Sequence, residues 1–274
     1  MAILTISRAV ASMGDEIATA TAQKLGYRFV NRKDIENRIV ELGFPEEKLR
    51  KYDEKKPGFF ASLTKDRDEY LDYLQTAVLE FASENNCILI GRGSFIILND
   101  VPNHLSFRFI ASDTVRLERL KNEFGWNTKQ AQKRIQESDA NRLGFHKSFF
   151  NYNSADPSLF HLVVNTGLFD IESASDMIAQ SVRTLMTAEK EEAGKRRVDE
   201  LLIAQRVINM LVLDYHLNIN FMRAVTIGRK IVLHGVADSN AIVEKALSIA
   251  ASELPEYKVE SAISIVQDFK AYPQ

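Results

Sequence analysis

Short, fully apolar runs alternate along the chain with longer segments whose apolar positions recur every three to four residues. The first run, Ile3 to Ile6, ends at Ser7 and has the length of a buried parallel strand. Ile17, Ala18, Thr21, Ala22 and Leu25 then share one helical face, with Asp15 and Glu16 in the first turn and Gly26 placed to end the helix. Further strands are predicted at Tyr27 to Val30, Cys87 to Gly91, Leu105 to Ala111 and Leu162 to Asn165. Helical patterns run over Lys33 to Leu42, Arg67 to Ser83, Thr128 to Lys147 and Ile171 to Met186, and Lys55-Lys56-Pro57-Gly58 reads as a break. Strands alternating with helices predict an α/β fold, with a mainly parallel sheet flanked by helices and right-handed crossovers.

The pattern changes at Ala188 to Arg197, a charged stretch containing Gly194 and lacking a clear apolar face. The expected organisation is a first domain over 1–187, a linker over 188–197 and a second domain over 198–274. In the second domain Leu201, Ala204, Ile208 and Leu211 mark an amphipathic helix. Val225 to Ile227 and Ile231 to Leu233 then flank Gly228-Arg229-Lys230 as a β-hairpin. A helix over Asn240 to Ser252 and a strand over Tyr257 to Val266 complete an αββαβ unit.

Composition narrows the function classes. Of 274 residues, 45% are hydrophobic and 26% charged, values of an ordinary globular protein. Thirty-five Lys and Arg against 37 Asp and Glu leave a net charge of -2, which argues against a general nucleic-acid binder. No stretch approaches the roughly 18 apolar residues of a membrane span, and the start lacks the pattern of a secretory signal. The single cysteine, Cys87, allows no intrachain disulfide and suits a reducing compartment, so a cytoplasmic location is expected. The five histidines show no ligand spacing, and no metal site is expected from them.

A loop between a first parallel strand and a helix is where α/β proteins bind phosphate, because free amides and the helix dipole favour an anion. Here the loop reads Ser7-Arg8-Ala9-Val10-Ala11-Ser12-Met13-Gly14-Asp15-Glu16-Ile17. Against the Walker pattern G-x-x-x-x-G-K-[ST], only Gly14 survives, and Asp15 stands at the lysine position. By motif alone an ordinary turn and a phosphate loop are equally open.

The surrounding residues resemble the cytidylate-kinase-like family of P-loop nucleoside monophosphate kinases over about residues 1–186. Ile6-Ser7-Arg8, Ser12, Gly14, Glu16-Ile17 and Leu25-Gly26-Tyr27 keep the frame of that family's opening. Gly91-Arg92-Gly93-Ser94 resembles its G-R-G segment at a strand end, and Ala111-Ser112 with Arg116 and Arg119 the approach to its lid. Asp139 and Arg142 resemble the lid's D-x-x-R, and Asp156-Pro157 with Leu162 to Thr166 the closing strand. The resemblance implies a P-loop kinase-like fold and phosphoryl transfer from ATP, with Mg²⁺, to a nucleoside monophosphate such as CMP or dCMP. It assigns Arg92, Gly91, Gly93 and Asn31 to the acceptor and Arg8, Ser12, Gly14 and Asp15 to the donor loop. Arg116, Arg119, Asp139 and Arg142 become the catalytic set; arginine suits this because its planar fork grips phosphate bidentately and keeps its charge. The bland alternative for Arg116 and Arg119 is a solvated helix face shared with Glu118. Phe149, Phe150 and Tyr152 are either a base platform or packing under the lid.

Several positions depart from the family pattern. Ala11 and Met13 replace loop glycines, which disfavours positive φ and takes up space. Asp15 brings a negative charge to the helix start, where two like charges at ~4 Å cost about 4 kcal/mol at an effective dielectric of 20; the alternative is a helix-start carboxylate turned to water. Asn31 replaces an acidic residue after the second strand, and His161 an aspartate before the last. Two readings therefore stand: a nucleoside monophosphate kinase, and a catalytically inactive pseudokinase that senses a nucleotide or serves in regulation or assembly. The second domain resembles a BON domain through Ile231-Val232-Leu233-His234-Gly235 with Asp238 and Ser239. That resemblance implies a small ligand or protein partner, with a plain dimerisation module as the alternative.

Overall fold

The computed structural model describes residues 1–49, 52 and 65–266. The break expected at Lys55 to Gly58 and the end of the chain beyond 266 lie outside the described residues.

The chain divides into two units, Met1–Lys195 and Arg196–Gln274. The first contains β1 (Ile3–Arg8), α1 (Gly14–Leu25), β2 (Arg28–Val30), α2 (Arg32–Glu41) and α3 (Glu46–Leu49). It continues with α4 (Lys65–Ser83), β3 (Cys87–Ile90), α5 (Ser94–Ile97), β4 (His104–Ile110), α6 (Asp113–Phe124), α7 (Thr128–Phe150), β5 (Leu162–Asn165) and α8 (Ile171–Leu185). The strands form one sheet in the order β2-β3-β1-β4-β5, every neighbouring pair parallel. The α/β expectation therefore holds, with element ends shifted by one to three residues.

The residues explain these boundaries. Asn31 and Asp34 close a capping box at the start of α2, and Asn127 and Gln130 do the same for α7. Ser112 and Asp170 cap α6 and α8. Strand alternation sends Leu4, Ile6, Ile88, Ile90, Phe107 and Phe109 into one core, closed by Ile17, Ala18 and Ala22 of α1 and Ala174, Ile178 and Val182 of α8. At about 25 cal/mol per Å² of apolar surface, this buried set is the main stabilising mass of the unit. β1 is central and flanked by β3 and β4, so the chain leaves β1 in one direction and later returns on the other side. The crevice at the carboxyl ends of β1 and β3 is the place where such sheets bind ligands.

Residues 188–197, expected as a linker, are instead helical, the first turns of α9 (Ala188–Asn209), and the division between units falls inside that helix. Gly194 is fixed by a close approach: any Cβ there would run into the side-chain amide of Asn103. The second unit continues through a wider turn at Met210–Asp214 to β6 (Asn220–Ile227), β7 (Lys230–Ala237), α10 (Asn240–Glu253) and β8 (Lys258–Ile265). β6 and β7 pair antiparallel and β7 and β8 parallel, around a core of Val207, Leu211, Ile231, Leu233, Ala246 and Ala250.

Two histidines make neutral polar contacts beside the first sheet. His104 is buried, its Nε2 lying 2.7 Å from the Thr5 hydroxyl, and the His161 Nδ1 accepts from the Ser106 amide at 2.9 Å. Burial, aided by the neighbouring His161, pushes the His104 imidazole from 6.5 down to about 3. A group whose folded value is depressed leaves the unfolded chain to take up the proton first, so stability falls as pH drops from 6.5 towards 3. From this residue alone the loss between pH 7 and pH 5 is about 2 kcal/mol. Denaturant unfolding of wild type and His104→Phe checks this. Between pH 7 and pH 5 wild type should lose about 2 kcal/mol more than the variant, and a difference unchanged with pH would contradict it.

Candidate functional site

The segment between β1 and α1 adopts a left-handed backbone at two residues that carry side chains. Ala11 and Met13 both sit at φ 58, in the left-handed region, and Met13 occupies the N-cap of α1 without a side-chain cap. For residues with a Cβ this conformation costs roughly 1–2 kcal/mol each. The surroundings hold it in place. Arg116 Nε donates to the Val10 carbonyl at 3.0 Å, and Arg119 Nη1 donates to the Ala11 carbonyl at 3.0 Å. Arg116 also grips Asp139 through Nη2 at 2.8 and 2.9 Å, and Arg119 is tied to the Thr166 hydroxyl at 3.0 Å. Burial pulls the Arg119 guanidinium below its ordinary value, opposed by Glu16. The Val10 and Ala11 side chains pack into a small apolar core of Leu117, Leu120, Trp126, Ala131 and Ile135 from α6, α7 and the turn between them. Met13 packs against the main core instead. Ser12 is buried, its hydroxyl donating to the Ala9 carbonyl at 2.8 Å.

Asp15 does not face the loop alone. Arg8 Nε donates to its Oδ2 at 3.1 Å and Arg8 Nη2 to its Oδ1 at 3.3 Å. The Arg8 side chain reaches Asp15 by crossing Gly14, where a Cβ would stand only 2.5 Å from the Arg8 Cβ. Gly14 is therefore required by this crossing.

The second loop follows β3. Gly91, Arg92 and Gly93 have φ 80, 54 and 71, three successive residues in the left-handed region. Arg92, although it carries a side chain, is held there by strong partners. It donates through Nη1 to the Tyr52 carbonyl at 2.8 Å and through Nη2 to the Glu36 carboxylate, and its guanidinium lies 5.6 Å from the Phe145 ring centre. The Arg92 side chain is 1% exposed. Burial pushes the Glu36 carboxyl up, but Arg92 and Arg32 outweigh this and hold it below its ordinary value.

Ser7, Arg8, Gly91, Arg92, Phe95, Arg142, Phe145 and His146 line a small hollow, part of it open to solvent. Arg142 donates to the Arg8 carbonyl and, at 3.2 Å, to the Ser138 hydroxyl. The site thus combines three arginines, two of them paired with carboxylates, with the rings of Phe95 and Phe145.

The residues expected from sequence fall into three groups. Arg8, Gly91, Arg92 and Arg142 meet at this hollow. Arg116 and Arg119 brace the first loop by donating to its carbonyl oxygens, and Asp139 holds Arg116. Asn31, expected at the acceptor, spends its side chain on the amides of Lys33 and Asp34 as the cap of α2, and Gly93 makes room for the Phe150 ring. Phe149 packs in an aromatic cluster with Tyr52, Tyr70 and Phe145. Sequence reading missed Glu36, whose only signal is its place four residues after Arg32, and the lining side chains Phe145 and His146. It also missed Arg108, which stacks on Phe160 and donates to the Ser154 carbonyl. Cys87 is buried, and burial pushes its thiol up to about 12, leaving it inert. Among the described residues no three His, Cys, Asp or Glu side chains converge as a metal site, and no helix is long and apolar enough to cross a membrane.

The chain is similar to several known proteins. A cytidylate kinase of Methanocaldococcus jannaschii is 26% identical over 186 residues, 67% of this chain and 98% of that protein. An uncharacterised protein from Eubacterium ventriosum shares the fold at 19% identity and TM-score 0.55, over 67% of this chain and 98% of its own. A shikimate kinase from Bacteroides thetaiotaomicron aligns over 66% of this chain and 98% of its own, at 14% identity and TM-score 0.41. Residues 3–168 match the profile of the cytidylate kinase-like family, which spans more than half of the chain and includes both loops, and the chain belongs to that family.

Proposed function

We propose that the first unit binds a nucleoside monophosphate, of the CMP or dCMP type, in the arginine-lined hollow, and that it transfers phosphate from ATP slowly or not at all. The contrast between the two loops carries this reading. The acceptor-side hollow keeps Arg8, Arg92 and Arg142 beside Phe95 and Phe145, which supplies charge for a phosphate and apolar walls for a base. In this reading Arg8 meets the phosphate, while Arg92, locked between Glu36 and the Tyr52 carbonyl, and Arg142, held by the Arg8 carbonyl and Ser138, set the local potential.

The donor side fits ATP and Mg²⁺ poorly. A Walker loop places lysine and a hydroxyl after its last glycine, and here those positions are Asp15 and Glu16. Arg116 and Arg119, the arginines that would neutralise a transferring phosphoryl group, are spent on the loop carbonyls. The donor loop thus lacks the cations that a transfer step needs. An active kinase is the second reading, favoured by one observation: Ala11 and Met13 hold a left-handed backbone at positions where the family pattern has glycine. The second unit, on its resemblance to a BON domain, is proposed as a module for a small ligand or a protein partner.

Calorimetry with CMP and cytidine, together with a coupled assay using ATP, Mg²⁺ and CMP, tests the reading. CMP should bind at least tenfold tighter than cytidine, Arg142→Ala should remove about tenfold of that affinity, and turnover should not exceed that of Arg92→Ala. Fast turnover by wild type would establish the kinase instead. The triple variant Ala11→Gly, Met13→Gly, Asp15→Lys should bind ATP at least about tenfold tighter than wild type.

The two ion pairs of the site predict different stabilities. Glu36→Ala leaves the Arg92 charge buried without its carboxylate and should cost about 3 kcal/mol. Asp15→Ala breaks a pair whose carboxylate is 56% exposed and should cost under about 1 kcal/mol. Equal losses in denaturant unfolding would show that the Arg92 pair is not the buried anchor inferred here.

A further inference from the structure

Arg8 is shared between the two loops. Its Nε and Nη2 hold Asp15 at the start of α1, while its Nη1 lies 3.2 Å from where a Cβ of Gly91 would stand, on the wall of the hollow. The residue is pinned along its whole length. Its stem lies over Gly14, its backbone carbonyl accepts from Arg142, and its side chain is only 15% exposed. The carboxylate it holds is 56% exposed, and among the described residues no second cation is hydrogen-bonded to that carboxylate, so this end of the pair is the one open to exchange.

The charges at the hollow make Arg8 the variable one. The Arg92 guanidinium is 1% exposed and committed to Glu36, so taking it from that carboxylate strands a buried cation and is costly. Separating Arg8 from Asp15 exposes a carboxylate that water already reaches, which costs little. A phosphate entering the hollow presents a doubly charged acceptor to the same guanidinium, and a fork can turn from one carboxylate to a phosphate without leaving its place.

We infer that Asp15 acts as a built-in competitor for the ligand's phosphate: it holds Arg8 by an ion pair and lowers the affinity of the hollow for phosphate-bearing ligands. Asp15 is then a specificity-determining residue that acts through Arg8, and its effect is confined to the phosphate part of the ligand. The inference rests on the proposed binding of a nucleoside monophosphate in this hollow.

Calorimetry on the full chain with CMP, inorganic phosphate and cytidine, for wild type, Asp15→Asn, Arg8→Gln and the double variant, tests it. Asp15→Asn should bind CMP and phosphate about fivefold tighter, the worth of one exposed ion pair, and bind cytidine unchanged. In the Arg8→Gln background the gain from Asp15→Asn should fall below about twofold. An equal gain for cytidine, an equal gain without Arg8, or no gain at all overturns the inference. Wild-type binding of CMP without a gain in Asp15→Asn defeats this inference alone. Failure of every variant to bind CMP or phosphate at millimolar concentration defeats the proposed function and this inference together. Unchanged thermal melting of Asp15→Asn shows that a lost effect is not a lost fold.

Discussion

Two residues with side chains, Ala11 and Met13, are held in a backbone conformation that favours glycine, and much of the first unit is organised around that constraint. The strain, roughly 1–2 kcal/mol at each position, has to be offset nearby. Arg116 and Arg119 do so by donating to the Val10 and Ala11 carbonyls, and the apolar cluster under α6 and α7 does so by packing around the Val10 and Ala11 side chains. The same contacts fix α6 and α7 over the loop. A backbone that ordinarily falls to glycine is held here by arginine and packing.

That change of material moves the charge of the site. Side chains that could meet a transferring phosphate become structural, and the helix start that would attract one carries Asp15. The arginine-lined hollow lies between the ends of β1 and β3, in the crevice that the strand order creates. Glu36 is central to it, because Arg92 can remain buried with φ 54 only while its charge is answered.

The fold is legible in the sequence because its strands are uninterrupted apolar runs and its helices begin and end at residues with local reasons, such as Gly26 and Ser112. The start of α9 escapes the same reading because its first turns are charged and offer no apolar stripe, the pattern from which helices are read. Half of the site is legible for a different reason: Arg8, Gly91, Arg92 and Arg142 keep the frame of a family. That frame assigns Asn31 to the acceptor, yet the residue caps a helix, since its nearest amides lie two and three residues away and outcompete a distant ligand. Glu36, Arg108 and Phe145 carry no motif. They matter through what the fold sets beside them, and adjacency across dozens of residues is not written in spacing.

The chain has one tryptophan, Trp126, in the turn between α6 and α7, stacked on Phe124 at 4.6 Å and packed with the cluster that receives Val10 and Ala11. Its indole is therefore a native optical reporter placed at the contact between the first loop and the helices that brace it. Light absorbed by that ring samples this one junction of the first unit, with no competing indole elsewhere in the chain.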